Sequence, residues 1–210
     1  NQFFYSKKED RLNVLSHGIG FILSIIGLIF LINKGLQNFT LTYFMSLLIY
    51  GLSLSTMYIA STLYHNSKTA NSRYNLRMFD MISIYILIAG SYTPFTLILL
   101  KDNQGWLLFT IIWLLAFFGI AWKVFTVGKY NLVTTSLYIF MGGLWLFFYE
   151  SFVSQIPSDA LWWITAGCFT YLAGVIFYLL DNKLKYNHFI WHLFVLAASG
   201  CHYISIYFYI

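Results

Sequence analysis

Seven apolar stretches, each roughly 20 residues long and able to cross ~30 Å of hydrocarbon, alternate with short polar segments along the chain. We place the spans at approximately 12–33, 40–64, 76–100, 105–122, 131–150, 160–180 and 187–210. The alternation of apolar and polar residues typical of membrane barrels is absent, so helices must satisfy the backbone inside the membrane. The pattern predicts an all-α, seven-transmembrane helix bundle that forms one domain over residues 1–210.

Composition supports a membrane location. Of the 210 residues, 60% are hydrophobic and only 9% are charged, which is too few charges to cover a soluble domain of this size. We therefore expect an integral protein of the cell (plasma or inner) membrane, surrounded by membrane lipids.

Lys and Arg predict the orientation, because positive loops stay in the cytoplasm. Ten basic residues fall on the side of the N-terminus: Lys7, Lys8, Arg11, Lys68, Arg73, Arg77, Lys123, Lys129, Lys183 and Lys185. Two fall on the other side, Lys34 and Lys101. The N-terminus is predicted to be cytoplasmic and the C-terminus external. This bias accounts for most of the net charge of +5, so no nucleic-acid partner is expected.

Four ionisable residues are predicted at one membrane depth, near the cytoplasmic side. His65 ends the second span, Asp80 lies one turn into the third, and His188 and His192 open the seventh. Ionisable groups at membrane depth are costly and therefore indicate function. The i, i+4 spacing of His188 and His192 places both imidazoles on one helical face, as a shared metal ion requires.

Three histidines with one open position are typical of a reactive zinc centre, and imidazole favours zinc over calcium or magnesium. Such a zinc ion can lower the pKa of a bound water to about 7. Asp80 is then the expected base or orienting group. Ser61, four residues before His65 on the same face, is a further hydrogen-bonding group.

The remaining histidines suit other roles. His17 lies in the first span at a compatible depth, where packing or hydrogen bonding is the simpler interpretation. His202 lies roughly 21 Å beyond His188 along the last span, too far to share its metal.

Four motifs follow one another along the chain: Glu9…Asn13-x-x-Ser16-His17-x-x-Gly20; Ser61-x-x-x-His65; Asp80 followed by Ala89-Gly90-Ser91-Tyr92-Thr93-Pro94; and His188-x-x-x-His192 with His202. Their order and spacing resemble the hemolysin III family, the bacterial branch of the progestin and adipoQ receptors. The resemblance covers essentially the whole chain.

This resemblance implies zinc bound by His65, His188 and His192, with Asp80 contacting the zinc-bound water and Ser61 beside it. The wider superfamily includes alkaline ceramidases, which hydrolyse lipid amides, and the bacterial branch is tied to haemolysis and membrane-lipid homeostasis. A zinc-dependent intramembrane hydrolase of lipid amides or esters is therefore expected. The alternatives are a lipid sensor with structural zinc and a cytolytic pore. Pores usually show polar stripes along several spans, and few are present here.

Two further features concern helix shape. Pro94 lacks a backbone donor and is expected to kink the third span. Gly142-Gly143 and the pair Gly167 and Gly174 are expected to allow close helix packing.

Overall fold

The computed structural model describes residues 5–38, 40–100, 103–127, 129–181 and 183–210. Its helical elements are α1 Lys7–Leu36, α2 Leu41–Asn66, α3 Ala70–Pro94 with a π-helical turn Phe95–Leu99, α4 Asn103–Phe125, α5 Asn131–Gly142, a 3-10 turn Leu144–Phe148, α6 Tyr149–Gln155, α7 Ser158–Leu179 and α8 Asn187–Tyr209. Among the described residues, seven segments are long and apolar enough to cross a membrane, and α5 to α6 together form the fifth. The prediction of an all-α seven-span protein is confirmed. Lys101, which entered the orientation argument, lies outside the described residues.

Helix α1 begins with a reciprocal cap that also contacts α8. The Ser6 hydroxyl accepts from the Glu9 backbone N–H, and the Glu9 carboxylate accepts from the Ser6 backbone N–H. The second Glu9 oxygen accepts from the Tyr186 backbone N–H at 2.6 Å, immediately before α8. The starts of α1 and α8 are therefore joined at one end of the bundle, which we call the amino end.

The buried face of α1 consists mainly of polar or small residues. Its buried residues recur every three or four positions: Asn13, Ser16, His17, Gly20, Ser24, Gly27, Leu31 and Gly35. Large residues such as Ile19, Ile22 and Leu23 are exposed on the opposite face. Small interfacial residues let helices approach closely in a membrane, where apolar side chains can face lipid. This face brings the polar groups of α1 against α2 and α8.

Pro94 marks a change of helix type. It is the last residue of α3, and the next five residues form the π-helical turn. Proline supplies no backbone N–H, and its ring clashes with the carbonyl four residues earlier, so regular α-helical bonding cannot continue through it.

The fifth span is interrupted rather than continuous. The helix breaks at Gly143, and a Cβ added to Gly142 would meet nothing within 4 Å, so the prediction of close packing at Gly142-Gly143 is wrong. The Tyr92 hydroxyl lies 3.0 Å from the Met141 carbonyl and 2.9 Å from the Gly142 carbonyl, and it accepts from the Trp145 N–H at 3.2 Å. The Tyr92 hydroxyl thus provides hydrogen bonds to backbone groups at the break, which lipid hydrocarbon cannot do.

Close packing does occur between α7 and α8. A Cβ on Gly167 would lie 2.3 Å from the His202 ring, and one on Gly174 would lie 2.7 Å from Phe194. The prediction for these two glycines is confirmed, and the close approach fixes α8 against α7.

Candidate metal centre

Three histidines meet at the amino end of the bundle. His65 lies in the last turn of α2, and His188 and His192 lie in the first two turns of α8. One nitrogen from each ring lies within 4.8 Å of the others, and all three residues are buried. The Nε2 atoms of His65 and His188 are 3.2 Å apart. This is a group of side chains that could hold one metal ion.

The outward nitrogen of His65 faces a carboxylate. Its Nδ1 lies 3.1 Å from Asp10 Oδ1, and that oxygen also accepts from Arg73 at 2.7 Å. The Arg73 guanidinium is buried and lies over the Tyr64 ring. Because an ionised carboxylate only accepts hydrogen bonds, the proton belongs on Nδ1, which leaves Nε2 as a free donor of electrons to a metal.

His188 has the same arrangement with different partners. Its Nδ1 lies 3.3 Å from Asp181 Oδ2 and 3.0 Å from the Tyr5 hydroxyl. Tyr5 donates to the same Asp181 oxygen at 2.6 Å. Burial, assisted by the Asp181 charge, raises the pKa of Tyr5, so its phenol stays protonated and donates. The ring of Tyr5 also covers His188, with centroids 4.7 Å apart.

His192 is held by α1. Its Nδ1 lies 3.1 Å from the Ser16 hydroxyl, and its ring stacks on His17 with centroids 3.5 Å apart. Each of the three histidines thus has its Nδ1 engaged by a neighbouring side chain. This pattern fixes the ring orientations and leaves the second nitrogen of each ring available to a metal.

The other two predicted site residues lie beside this cluster. Asp80 and Ser61 both line the cavity that also contacts His188 and His192. Ser61 lies close enough to Asp80 to favour its ionised form. Helix α3 therefore supplies a carboxylate to the cavity, and α2 supplies a neighbouring hydroxyl.

Several residues of the centre were not predicted as part of it. The sequence patterns gave no role in the centre to Asp10, Asp181 or Tyr5. The residue spacing held a usable signal for Asp10, because Asp10, Asn13 and His17 recur at i, i+3 and i+7 on one face of α1. Tyr5 and Asp181 carry no such signal, since they lie outside the helices.

A cavity of about 490 Å³ extends from the cluster into the bundle. At the cluster it is lined by Asp80, His188 and His192, and deeper by Ile164 and His202. His202 lies ten residues beyond His192, roughly 15 Å along α8. It has Cys168 Sγ at 4.0 Å rather than the other histidines, so it belongs to the far part of the cavity.

The cavity reaches the outer surface of the bundle between the fifth span and α7. Four of its lining residues are also exposed large hydrophobic side chains: Ile139, Leu146, Phe169 and Leu172. In an integral membrane protein such an exposed surface contacts lipid.

Comparisons with known proteins agree with this architecture. The chain matches the family described as "Haemolysin-III related" over residues 5–203. It is 38% identical to Hemolysin-3 of Bacillus cereus, over 97% of this chain and 92% of the relative. It is 35% identical to the Hemolysin-3 homolog of Bacillus subtilis, over 98% and 96%.

A more distant similarity extends to mammals. The human monocyte to macrophage differentiation factor is 31% identical over 77% of this chain and 69% of the relative. Together with the full-length bacterial matches, this confirms the predicted resemblance: the chain belongs to the hemolysin III family of integral membrane proteins, related to the progestin and adipoQ receptors.

Proposed function

We propose that this protein is a zinc-dependent intramembrane hydrolase of lipid amide or ester bonds, with a role in membrane-lipid homeostasis. The observation that carries the proposal is that three oriented imidazoles lie with a carboxylate at one end of an apolar cavity. A purely structural site does not need the carboxylate or the cavity.

The donor set fits zinc. Three imidazoles with engaged Nδ1 atoms match catalytic zinc sites, which keep a fourth position open. His65, His188 and His192 would hold the ion. Bound zinc supplies Lewis acidity, which polarises a carbonyl and makes water nucleophilic at neutral pH.

The protein's own groups supply the remaining chemistry. Asp80 would accept a proton from the attacking water and return it to the leaving group, and the neighbouring Ser61 hydroxyl would help to orient the carboxylate. Asp10, Asp181 and Tyr5 hold the rings of His65 and His188 in place. The apolar walls would keep bulk water away from the hydrocarbon part of the substrate.

The cavity suits a lipid. Its volume lies in the range of ligand pockets, its lining is mostly apolar and aromatic, and it reaches the lipid-facing surface beside α7. A lipid could enter sideways with its polar group at the amino end. We further propose that the amino end faces the cytoplasm, because most basic residues lie there.

The second candidate is a lipid sensor with structural zinc. It is favoured by the way the cluster ties α1, α2, α8 and the segment before α8 together. The names of the bacterial relatives also keep cytolysis as a third candidate. The mostly apolar cavity lining supports a lipid site better than a water-filled pore.

Metal content and turnover separate the first two candidates. We expect about one zinc per chain after mild purification, which elemental analysis measures. Asp80→Asn should keep the metal but slow hydrolysis roughly 10²–10⁴-fold, because the nearly isosteric amide cannot accept the proton.

Product analysis in matched membranes, with ceramide, sphingolipid and phospholipid substrates, measures the loss. The control is Asp159→Asn at the exposed start of α7, which should behave as wild type. Identical lipid profiles for wild type and Asp80→Asn would rule out the hydrolase.

A further inference from the structure

The deep half of the cavity contains a group of hydroxyl-bearing side chains that the proposed chemistry does not use. We call Tyr50, Tyr58, Tyr171 and Ser199 the inner cluster. Tyr50, Tyr171 and Ser199 line the cavity. The Tyr171 and Ser199 hydroxyls are 2.9 Å apart, and Tyr50 and Tyr58 both lie near Tyr171.

Tyr50 is the exceptional member of this cluster. Only 1% of its surface is exposed, yet its hydroxyl has no hydrogen-bond partner among the described residues. Buried polar groups almost always have a partner, and one left without it destabilises the fold. A tyrosine that served only to fill space would be better replaced by phenylalanine at this position.

The position of the inner cluster sets where a partner would lie. Ser199 is seven residues beyond His192, roughly 10 Å along α8, and Tyr50 is fifteen residues before His65, roughly 22 Å along α2. A lipid whose acyl carbonyl lies at the three histidines would therefore pass the inner cluster with the middle or distal part of its chain.

We propose that the inner cluster is a recognition subsite for a hydroxyl group on that chain, so that the preferred ligand class is a hydroxylated fatty acyl lipid. This rests on the proposed function in placing the acyl carbonyl at the histidines. A hydroxyl both donates and accepts, as does the Tyr50 hydroxyl it would meet. A plain hydrocarbon chain would leave Tyr50 without a partner.

The test is equilibrium binding, which does not depend on turnover. The probes are stearic acid and hydroxystearic acids that carry the hydroxyl at successive carbons, added to purified full-chain protein in nanodiscs. Mid-chain to distal isomers should bind roughly three- to tenfold more tightly than stearic acid, the gain of about one net hydrogen bond. An isomer with the hydroxyl next to the carboxyl group should show no gain.

Tyr50→Phe should bind the mid-chain to distal hydroxystearic acids and stearic acid about equally well, so that the ratio of these affinities falls to about one. Its unfolding temperature should equal or exceed that of wild type, because the lost hydroxyl had no partner in the fold. The matched control is Tyr203→Phe, which removes a nearby phenol that donates to the Gly27 carbonyl and should keep the preference.

Equal binding of all isomers to wild type, as expected if water satisfies Tyr50, would overturn the subsite. So would a preference that survives in Tyr50→Phe. If the protein hydrolyses lipids but shows no preference among the isomers, the subsite is wrong and the proposed function stands. If it prefers the mid-chain to distal isomers but hydrolyses no lipid, the proposed function is wrong and the subsite stands. A failure to bind any fatty acid overturns the subsite, whereas the proposed function is decided by turnover alone.

Discussion

Asp10 and Asp181 each face the Nδ1 of one histidine, and each is held by another side chain: Asp10 by Arg73 and Asp181 by Tyr5. A carboxylate in this position orients the ring and makes its other nitrogen a better ligand. The centre therefore depends on residues that would never touch the ion.

We expect Asp10→Asn to weaken zinc binding by roughly 10- to 100-fold, because the amide lacks the charge that strengthens the hydrogen bond from His65. Competition with a chromophoric chelator measures the affinity. Glu150→Gln, at an exposed carboxylate in α6, is the matched control and should bind zinc as wild type does. An unchanged affinity in Asp10→Asn would show that the carboxylate is dispensable.

Sequence reasoning identified the histidines and missed these partners for a physical reason. Depth along a helix follows from counting residues, so His65 and the pair at His188 and His192 could be placed at one level. The contacts of Asp10 depend on how α1 is rotated toward α2, and those of Asp181 depend on the path of a short connection. Apolar periodicity determines neither of these.

At the scale of the helices, the fifth span is built from an α-helix, a 3-10 turn and a second short α-helix. Its apolar character is continuous, so hydropathy predicts only that the segment crosses the membrane. The sequence predicts close packing at Gly142-Gly143, and it shows neither the break there nor that Tyr92 reaches across from α3 to satisfy the backbone.

Tyr92→Phe should destabilise the fold by about 1–3 kcal/mol, because it leaves buried backbone groups at the break without a partner. Thermal unfolding in one detergent measures the change, with Tyr149→Phe as the control, since Tyr149 is exposed. Equal unfolding temperatures for Tyr92→Phe and wild type would mean that water already satisfies those carbonyls.

At the scale of the whole molecule, composition and apolar lengths were enough to predict the seven-helix class. The cavity could not be predicted, because it depends on how the fifth span and α7 are positioned relative to each other. Tyr138, Phe169 and Leu172 line it from these two segments, and nothing in their local sequence distinguishes them from other membrane-facing residues.

The orientation of the bundle remains a prediction that reporters can test. Alkaline phosphatase fused after Ile210 should be active and a fluorescent protein at the same position dark, because we expect this end to be external. Fusions after Lys183, which precedes α8, should give the opposite result. A fluorescent fusion after Ile210 that is bright in the cytoplasm would invert the topology.

The contact of Tyr5 with His188 joins residues 183 positions apart. Tyr5 leaves the ribosome long before His188 is synthesised, since chains grow at about 5–20 residues per second. The polar face of α1 therefore enters the bilayer before α8 exists to cover it. The centre can form only after the last helix inserts, so a chain that stalls before residue 188 has no complete site.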